Sequence, residues 1–243
     1  MVLSGDPDAL KDAALVFDLD GTLVDTAPDI TGALNHVLMA HGRTPIPPAQ
    51  VRAMVGQGAA TLLVQGFKAT GEPLDPARVP ELFDDFIAYY GEHIADTSTV
   101  FPGVRAALER YRRAGAKLGV CTNKPFGLSI ALLEALDLVQ YFPVVLGADS
   151  LKVHKPDPEH FRATVRGLGG RNELSVMIGD SPTDVATARA AGVPMVAVTF
   201  GYTPVPPESF GADFLIDHFD RLDEALINAL TCKRGELQCS PSI

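Results

Sequence analysis

Leu15-Val16-Phe17-Asp18-Leu19-Asp20-Gly21-Thr22-Leu23-Val24-Asp25 sets an apolar run against a sharp acidic turn. Residues 13–17 read as a strand, short and almost wholly apolar, as a strand covered by helices on both faces must be. The run stops at Asp-x-Asp-Gly-Thr, which puts two carboxylates at the strand's carboxyl end, the edge at which open parallel sheets bind ligands. Gly21 permits a sharp turn, and amides exposed at Gly21 and Thr22 could hold an anion. Two carboxylates so close repel one another unless a cation or a shared proton compensates, and Mg²⁺ is the hard divalent ion that suits them.

The same rhythm continues downstream. Apolar runs at 117–121, 143–146, 175–178, 195–199 and 214–216 alternate with helical patterns at 103–114, 126–136, 158–168, 182–191 and 222–230. That alternation predicts an α/β fold with a parallel sheet. Gly115, Gly169 and Gly192 fall just past three of the helices, where a left-handed residue is wanted. Between about residues 29 and 96 the apolar spacing is helical throughout. Ile30, Leu34, Val37 and Leu38 share one face, and Leu82, Phe83, Phe86, Ile87 and Tyr90 share another. Pro45, Pro47, Pro48, Pro73 and Pro76 punctuate this segment. The expectation is an all-helical domain at 27–96, inserted after the first strand of a core made from 1–26 and 97–243. The tail from Thr231 to Ile243 has no periodicity and is expected to be disordered.

Composition removes several classes of function. The chain has 243 residues, 47% hydrophobic and 21% charged, which suits a globular protein with a full core. Thirty acidic residues against twenty basic ones give a net charge of −10, the wrong sign for a nucleic-acid partner. No apolar run is long enough to cross a membrane, and the first residues lack the pattern of a secretory signal. The three cysteines, Cys121, Cys232 and Cys239, form no C-x-x-C pair, which fits a reducing cytoplasm. A cytoplasmic location is expected, and nothing in the sequence sets an oligomeric state.

Three further strand ends carry chemistry. Thr122-Asn123-Lys124-Pro125 follows the run at 117–121, and Thr122 and Asn123 could donate hydrogen bonds to a phosphoryl oxygen or cap a turn. In Lys155-Pro156-Asp157-Pro158, Lys155 could neutralise a phosphate, or be a solvated lysine before a helix that starts at Pro158. In Gly179-Asp180-Ser181-Pro182-Thr183-Asp184, Asp180 could complete a metal site with Asp18. Asp184, one turn into the next helix, would hold that site from behind. Asp180 or Ser181 could equally cap the helix begun at Pro182. Together these are the parts phosphoryl transfer requires, since positioning and charge neutralisation dominate that reaction.

The four motifs, in this order, resemble the haloacid dehalogenase superfamily of phosphohydrolases from Leu15 to about Asp217. The resemblance implies a Rossmann-like core with a helical cap inserted after the first strand. It implies Asp18 as the nucleophile that becomes an aspartyl-phosphate and Asp20 as general acid and then base. It further implies Thr122 and Lys155 as the phosphoryl-orienting pair. Asp18, Asp20 through its backbone carbonyl, and Asp180 would be Mg²⁺ ligands, with Asp184 in support. An acid at Asp20 sets the chain apart from dehalogenases and from phosphonatases. The latter use a cap lysine, and Lys68 here reads more simply as a surface residue.

Finer features resemble the bacterial phosphoglycolate phosphatases within the superfamily. These are the run from Asp18 to Asp29, Val55-Gly56-Gln57-Gly58-Ala59, Thr122 to Pro125, Lys155 to Pro158 and Phe200-Gly201-Tyr202. Thr26 stands where that group more often has Ser, and keeps the hydroxyl. The implied substrate is a small phosphorylated metabolite, 2-phosphoglycolate. Phosphomutases and other small-phosphate or pyrophosphate phosphatases share much of the pattern. The non-phosphate end of the substrate is expected at Gly56, Gln57 and Gly58, which would equally serve as a plain loop between two helices. Arg43, Arg52 and Lys68 are the cations considered for its carboxylate. A signalling receiver domain also phosphorylates a strand-end aspartate, but is about half this length and has no helical insertion.

Overall fold

A computed structural model describes residues 8–202 and 206–235. Six parallel strands form the main sheet: β1 (Ala14–Phe17), β4 (Lys117–Cys121), β5 (Val144–Leu146), β6 (Ser175–Gly179), β7 (Met195–Val198) and β8 (Phe214–Ile216). The strand order is β5-β4-β1-β6-β7-β8, so the chain leaves β1 toward one edge and later returns to its other side. That reversal is the topological switch point, where the strand ends part and open a crevice. Phe17 pairs with Val120 on one side and Ile178 on the other, so the residues that follow β1, β4 and β6 emerge side by side.

Strand β1 shows why the run had to be apolar. Leu15 and Phe17 join one buried cluster, while Ala14 and Val16 join the cluster on the opposite face. Side chains alternate across a strand, so helices on both faces leave no position for a polar group. One face is covered mainly by α5 (Val104–Arg113) and α6 (Phe126–Ala135), with Ile227 of α9 (Glu224–Gly235). The other is covered by α7 (Pro158–Gly167) and α8 (Pro182–Ala191). Gly115, Gly169 and Gly192 all take positive φ, as expected of residues just past helix ends. Helix α9 continues through Gly235, which corrects the expected tail. Thr231 to Gly235 are helical, Thr231 donating its hydroxyl back to the Ile227 carbonyl at 3.0 Å. The rest of that expectation, from Glu236 onward and including Cys239, lies outside the described residues.

After β1 the chain makes a short strand β2 (Val24–Asp25) and enters four helices: α1 (Ala27–Ala40), α2 (Pro48–Arg52), α3 (Ala59–Thr70) and α4 (Val79–Glu92). It returns through β3 (Thr99–Val100), antiparallel to β2. The helices bury a cluster of their own, in which Ile30, Leu34, Val37 and Leu38 of α1 meet Leu82, Phe86 and Tyr90 of α4. Leu128 of α6 joins this cluster from the sheet side. Asp29 ties the outgoing and returning chains together. Its carboxylate accepts from the Ser98 amide at 2.8 Å, the Ser98 hydroxyl at 2.6 Å, the Thr97 amide at 3.1 Å and the Thr97 hydroxyl. Those donors hold its carboxyl below the usual carboxylate range against the opposing effect of burial. Among the described residues no helix is long and apolar enough to cross a membrane.

Candidate active site

Asp18 follows the last residue of β1, and its amide donates to the Ile178 carbonyl at 2.8 Å, so the sheet fixes its backbone. Its carboxylate meets the Lys155 ammonium at 2.8 Å, and the same ammonium reaches Asp184 at 2.7 Å. Lys155 is 2% exposed, which replaces the picture of a solvated lysine with a buried bridge between two carboxylates. Burial alone would discharge the ammonium, but Asp18 and Asp184 outweigh it and raise the Lys155 pKa. Burial pushes the Asp18 carboxyl up to about 7, opposed by Lys155 and assisted by Asp184. Cys121, the last residue of β4, is buried and its thiol is raised to about 12 by desolvation, so it is an inert core residue.

Asp180 leaves β6 beside Asp18. Its oxygens accept from the Thr22 hydroxyl at 3.0 Å and the Tyr202 amide at 2.8 Å. Gly21 lies against it at φ +81°, and a Cβ there would come within 2.4 Å of an Asp180 oxygen, so this turn requires glycine. Gly21 and Thr22, expected at the anion, are spent inside the loop: the Gly21 amide donates to the Val24 carbonyl at 2.9 Å and Thr22 holds Asp180. Asp184 forms a capping box with Ser181 at the start of α8. One Asp184 oxygen takes the Ser181 hydroxyl at 2.7 Å and the other takes Lys155, so the capping and supporting roles coexist in one side chain.

Ligand oxygens of Asp18, Asp180 and Asp184 lie within 4.8 Å of one another. Of the three buried carboxylates only Asp18 and Asp184 contact the Lys155 ammonium, and burial, followed by the charges of Asp18 and Asp184, raises the Asp180 pKa well above its ordinary value. The donors are all carboxylate oxygens, and the excess negative charge would be compensated by a hard divalent cation. The residues present therefore fit such an ion.

Asp20 lies on the other side of Asp18. Its Oδ1 accepts from the Thr26 hydroxyl at 2.7 Å and from the Lys124 ammonium at 3.0 Å. Thr26 thus keeps the hydroxyl function expected of it. Lys124 also reaches the Tyr90 hydroxyl at 2.6 Å and lies 4.3 Å from the centre of that ring. Burial lowers the Lys124 pKa, with Asp20 opposing. Sequence reading assigned no role to Lys124 or Tyr90. Lys124 stood inside a motif already noted, whereas Tyr90 comes from α4 and had only its helical spacing to show.

A cleft opens between the strand ends and the helical segment. Asp18, Asp20, Thr122, Asn123 and Lys124 line its floor, and Gly56 and Gly58 line it from above. Gln57 faces an adjoining crevice that includes Asp20 and Asp180. Thr122 accepts the Lys124 amide at 3.2 Å, so it does cap its turn, and its hydroxyl proton remains available. The Asn123 side-chain amide donates to the Lys155 carbonyl at 3.0 Å and the Gly56 carbonyl at 3.4 Å, joining two loops rather than pointing its donors at the cleft. Arg43 donates to the Glu72 carbonyl at 3.0 Å, Arg52 pairs with Asp25, and Lys68 is exposed. None of these three lines the cleft.

Residues 15–198 match the family model described as haloacid dehalogenase-like hydrolase. The chain belongs to that family. It is therefore a hydrolase with the α/β core just described. A phosphoglycolate phosphatase of Caulobacter vibrioides is 50% identical over 222 residues, 91% of this chain and 94% of that protein. Another from Mesorhizobium japonicum is 42% identical over 221 residues, 91% of this chain and 97% of that protein. Among solved structures, that of a predicted phosphoglycolate phosphatase from Haemophilus somnus superposes with a TM-score of 0.81 at 30% identity. It covers 88% of this chain and 96% of that one.

Proposed function

We propose that this hydrolase is a Mg²⁺-dependent phosphomonoesterase that converts 2-phosphoglycolate and water to glycolate and phosphate through an aspartyl-phosphate at Asp18. One observation carries the reading: Asp18 and Asp20 open onto the same cleft, while Lys155, Asp180 and Asp184 stand buried behind Asp18. The full-length likeness to phosphatases named for this substrate supports its choice.

In the first step a carboxylate oxygen of Asp18 bonds to phosphorus as the ester bond breaks, and Asp20 gives its proton to the departing glycolate oxygen. In the second, Asp20 takes a proton from water, whose oxygen bonds to phosphorus and releases phosphate from Asp18. Thr122 and Lys155 orient the phosphoryl oxygens, and Thr26 fixes Asp20 for both proton transfers. Asp18, the Asp20 backbone carbonyl and Asp180, with Asp184 in support, would hold Mg²⁺, which when bound would supply charge neutralisation at the phosphoryl oxygens. We read 27–96 as a cap domain that opens for substrate and closes to exclude bulk water, with its Gly56–Gly58 loop over the non-phosphate end.

The test is phosphate release from a panel of small phosphate esters, with Mg²⁺ and with EDTA. Metal-dependent release strongest for 2-phosphoglycolate is expected. Equal release from unrelated esters would remove the substrate assignment, and release undiminished by EDTA would remove the metal.

A further inference from the structure

The cleft contains a cation for which the proposed chemistry has no use. Lys124 is 5% exposed and lines the same cleft as Asp18 and Asp20. Lys155, buried between Asp18 and Asp184, is assigned to the phosphoryl group, and among the described residues Lys124 is the basic residue that lines the cleft. Much of the remaining wall is apolar, including Leu62, Phe86, Ile87 and Leu128. A charged substrate group buried against such a wall needs a specific partner.

We propose that Lys124 is the specificity-determining residue that receives the substrate's carboxylate. The assignment rests on the substrate proposed above and adds the group that selects it. In 2-phosphoglycolate one methylene separates the ester oxygen from the carboxylate. The ester oxygen must lie beside Asp20 to be protonated, so the carboxylate must lie beside Asp20's neighbours. The Lys124 ammonium is that neighbour, 3.0 Å from Asp20 Oδ1. An ammonium has three donors. The Asp20 carboxylate takes one, with Oδ1 at 3.0 Å and the more distant Oδ2 at 3.4 Å, the Tyr90 hydroxyl at 2.6 Å takes a second, and the third is left for the substrate. Tyr90 belongs to α4, so the residue that reads the carboxylate is also held by the helical segment above the cleft. An ester without the carboxylate forfeits this charge-assisted bond and leaves the third donor of the ammonium facing an apolar group.

The experiment compares kcat/KM for 2-phosphoglycolate and for ethyl phosphate, which has a methyl group in place of the carboxylate, in the wild-type protein and in Lys124→Met. Because Lys124 touches Asp20, both rates are free to fall, and the readout is their ratio. The wild type should prefer 2-phosphoglycolate. The variant should lose at least about 10-fold of that preference, the scale of one hydrogen bond to a charged group. Lys124→Arg should recover part of it, and Lys124→Gln provides the same comparison if the methionine variant does not fold. A wild-type preference that survives intact in the uncharged variant overturns the role of Lys124 and leaves the substrate standing. A wild type that shows no preference overturns the substrate assignment, and this inference with it.

Discussion

Lys155 joins two buried carboxylates, contacting Asp18 at 2.8 Å and Asp184 at 2.7 Å. Removing one member of a buried ion pair leaves the others uncompensated, which costs about 3–5 kcal/mol. Lys155→Met should therefore lower the free energy of unfolding in urea by about that amount in metal-free buffer, as well as abolish turnover. A loss below about 1 kcal/mol would mean that the surroundings, not Lys155, hold the carboxylates. His160 gives a pH signature, on which the charge of Lys155 also acts. Its Nε2 faces the Gly147 carbonyl at 3.1 Å, Nδ1 is buried without a partner, and burial lowers its pKa to about 4. The unfolded chain binds that proton first, near the ordinary value of about 6.5. Stability should therefore fall as pH drops from about 6.5 to 4, and this contribution should change no further below that. Thermal melts of the wild type and His160→Gln across that window test it. The wild type should lose more stability than the variant, and parallel curves would contradict the assignment.

At the level of elements, the sheet was legible because each strand is an apolar run between helical patterns, and burial on both faces leaves a strand no alternative. The helices were legible for a related reason: Ile30, Leu34, Val37 and Leu38 recur at helical spacing because they share one cluster. Helix α9 was read too short, since Thr231 to Gly235 have no apolar period and are helical by continuation from the turns before them. The tie at Asp29 was not legible at all, because its donors lie 68 and 69 residues away. Asp29→Asn keeps the shape and removes the charge that four donors share. It should cost about 1.5–3 kcal/mol, the range for hydrogen bonds to charged groups. An unfolding midpoint equal to that of the wild type would show that the link between outgoing and returning chains does not depend on this carboxylate.

Across the whole molecule, the residues legible in the sequence are those that follow a strand directly. Asp18, Thr122 and Asp180 announce themselves because β1, β4 and β6 are adjacent and end together. What no local pattern holds is which side chains meet once loops and helices fold back. Gly21 and Thr22 looked like an anion cradle and instead position Asp180. Arg43, Arg52 and Lys68 were the cations in view, and among the described residues the one in the cleft is Lys124, held by a tyrosine 34 residues earlier in the chain. The central claim is that Asp18 carries the phosphoryl group. Its most direct test is phosphate release from 2-phosphoglycolate by the wild type and by Asp18→Asn, with Mg²⁺ present and folding checked by circular dichroism. The account predicts a folded variant with no detectable turnover, whereas a folded variant releasing phosphate at the wild-type rate would contradict it.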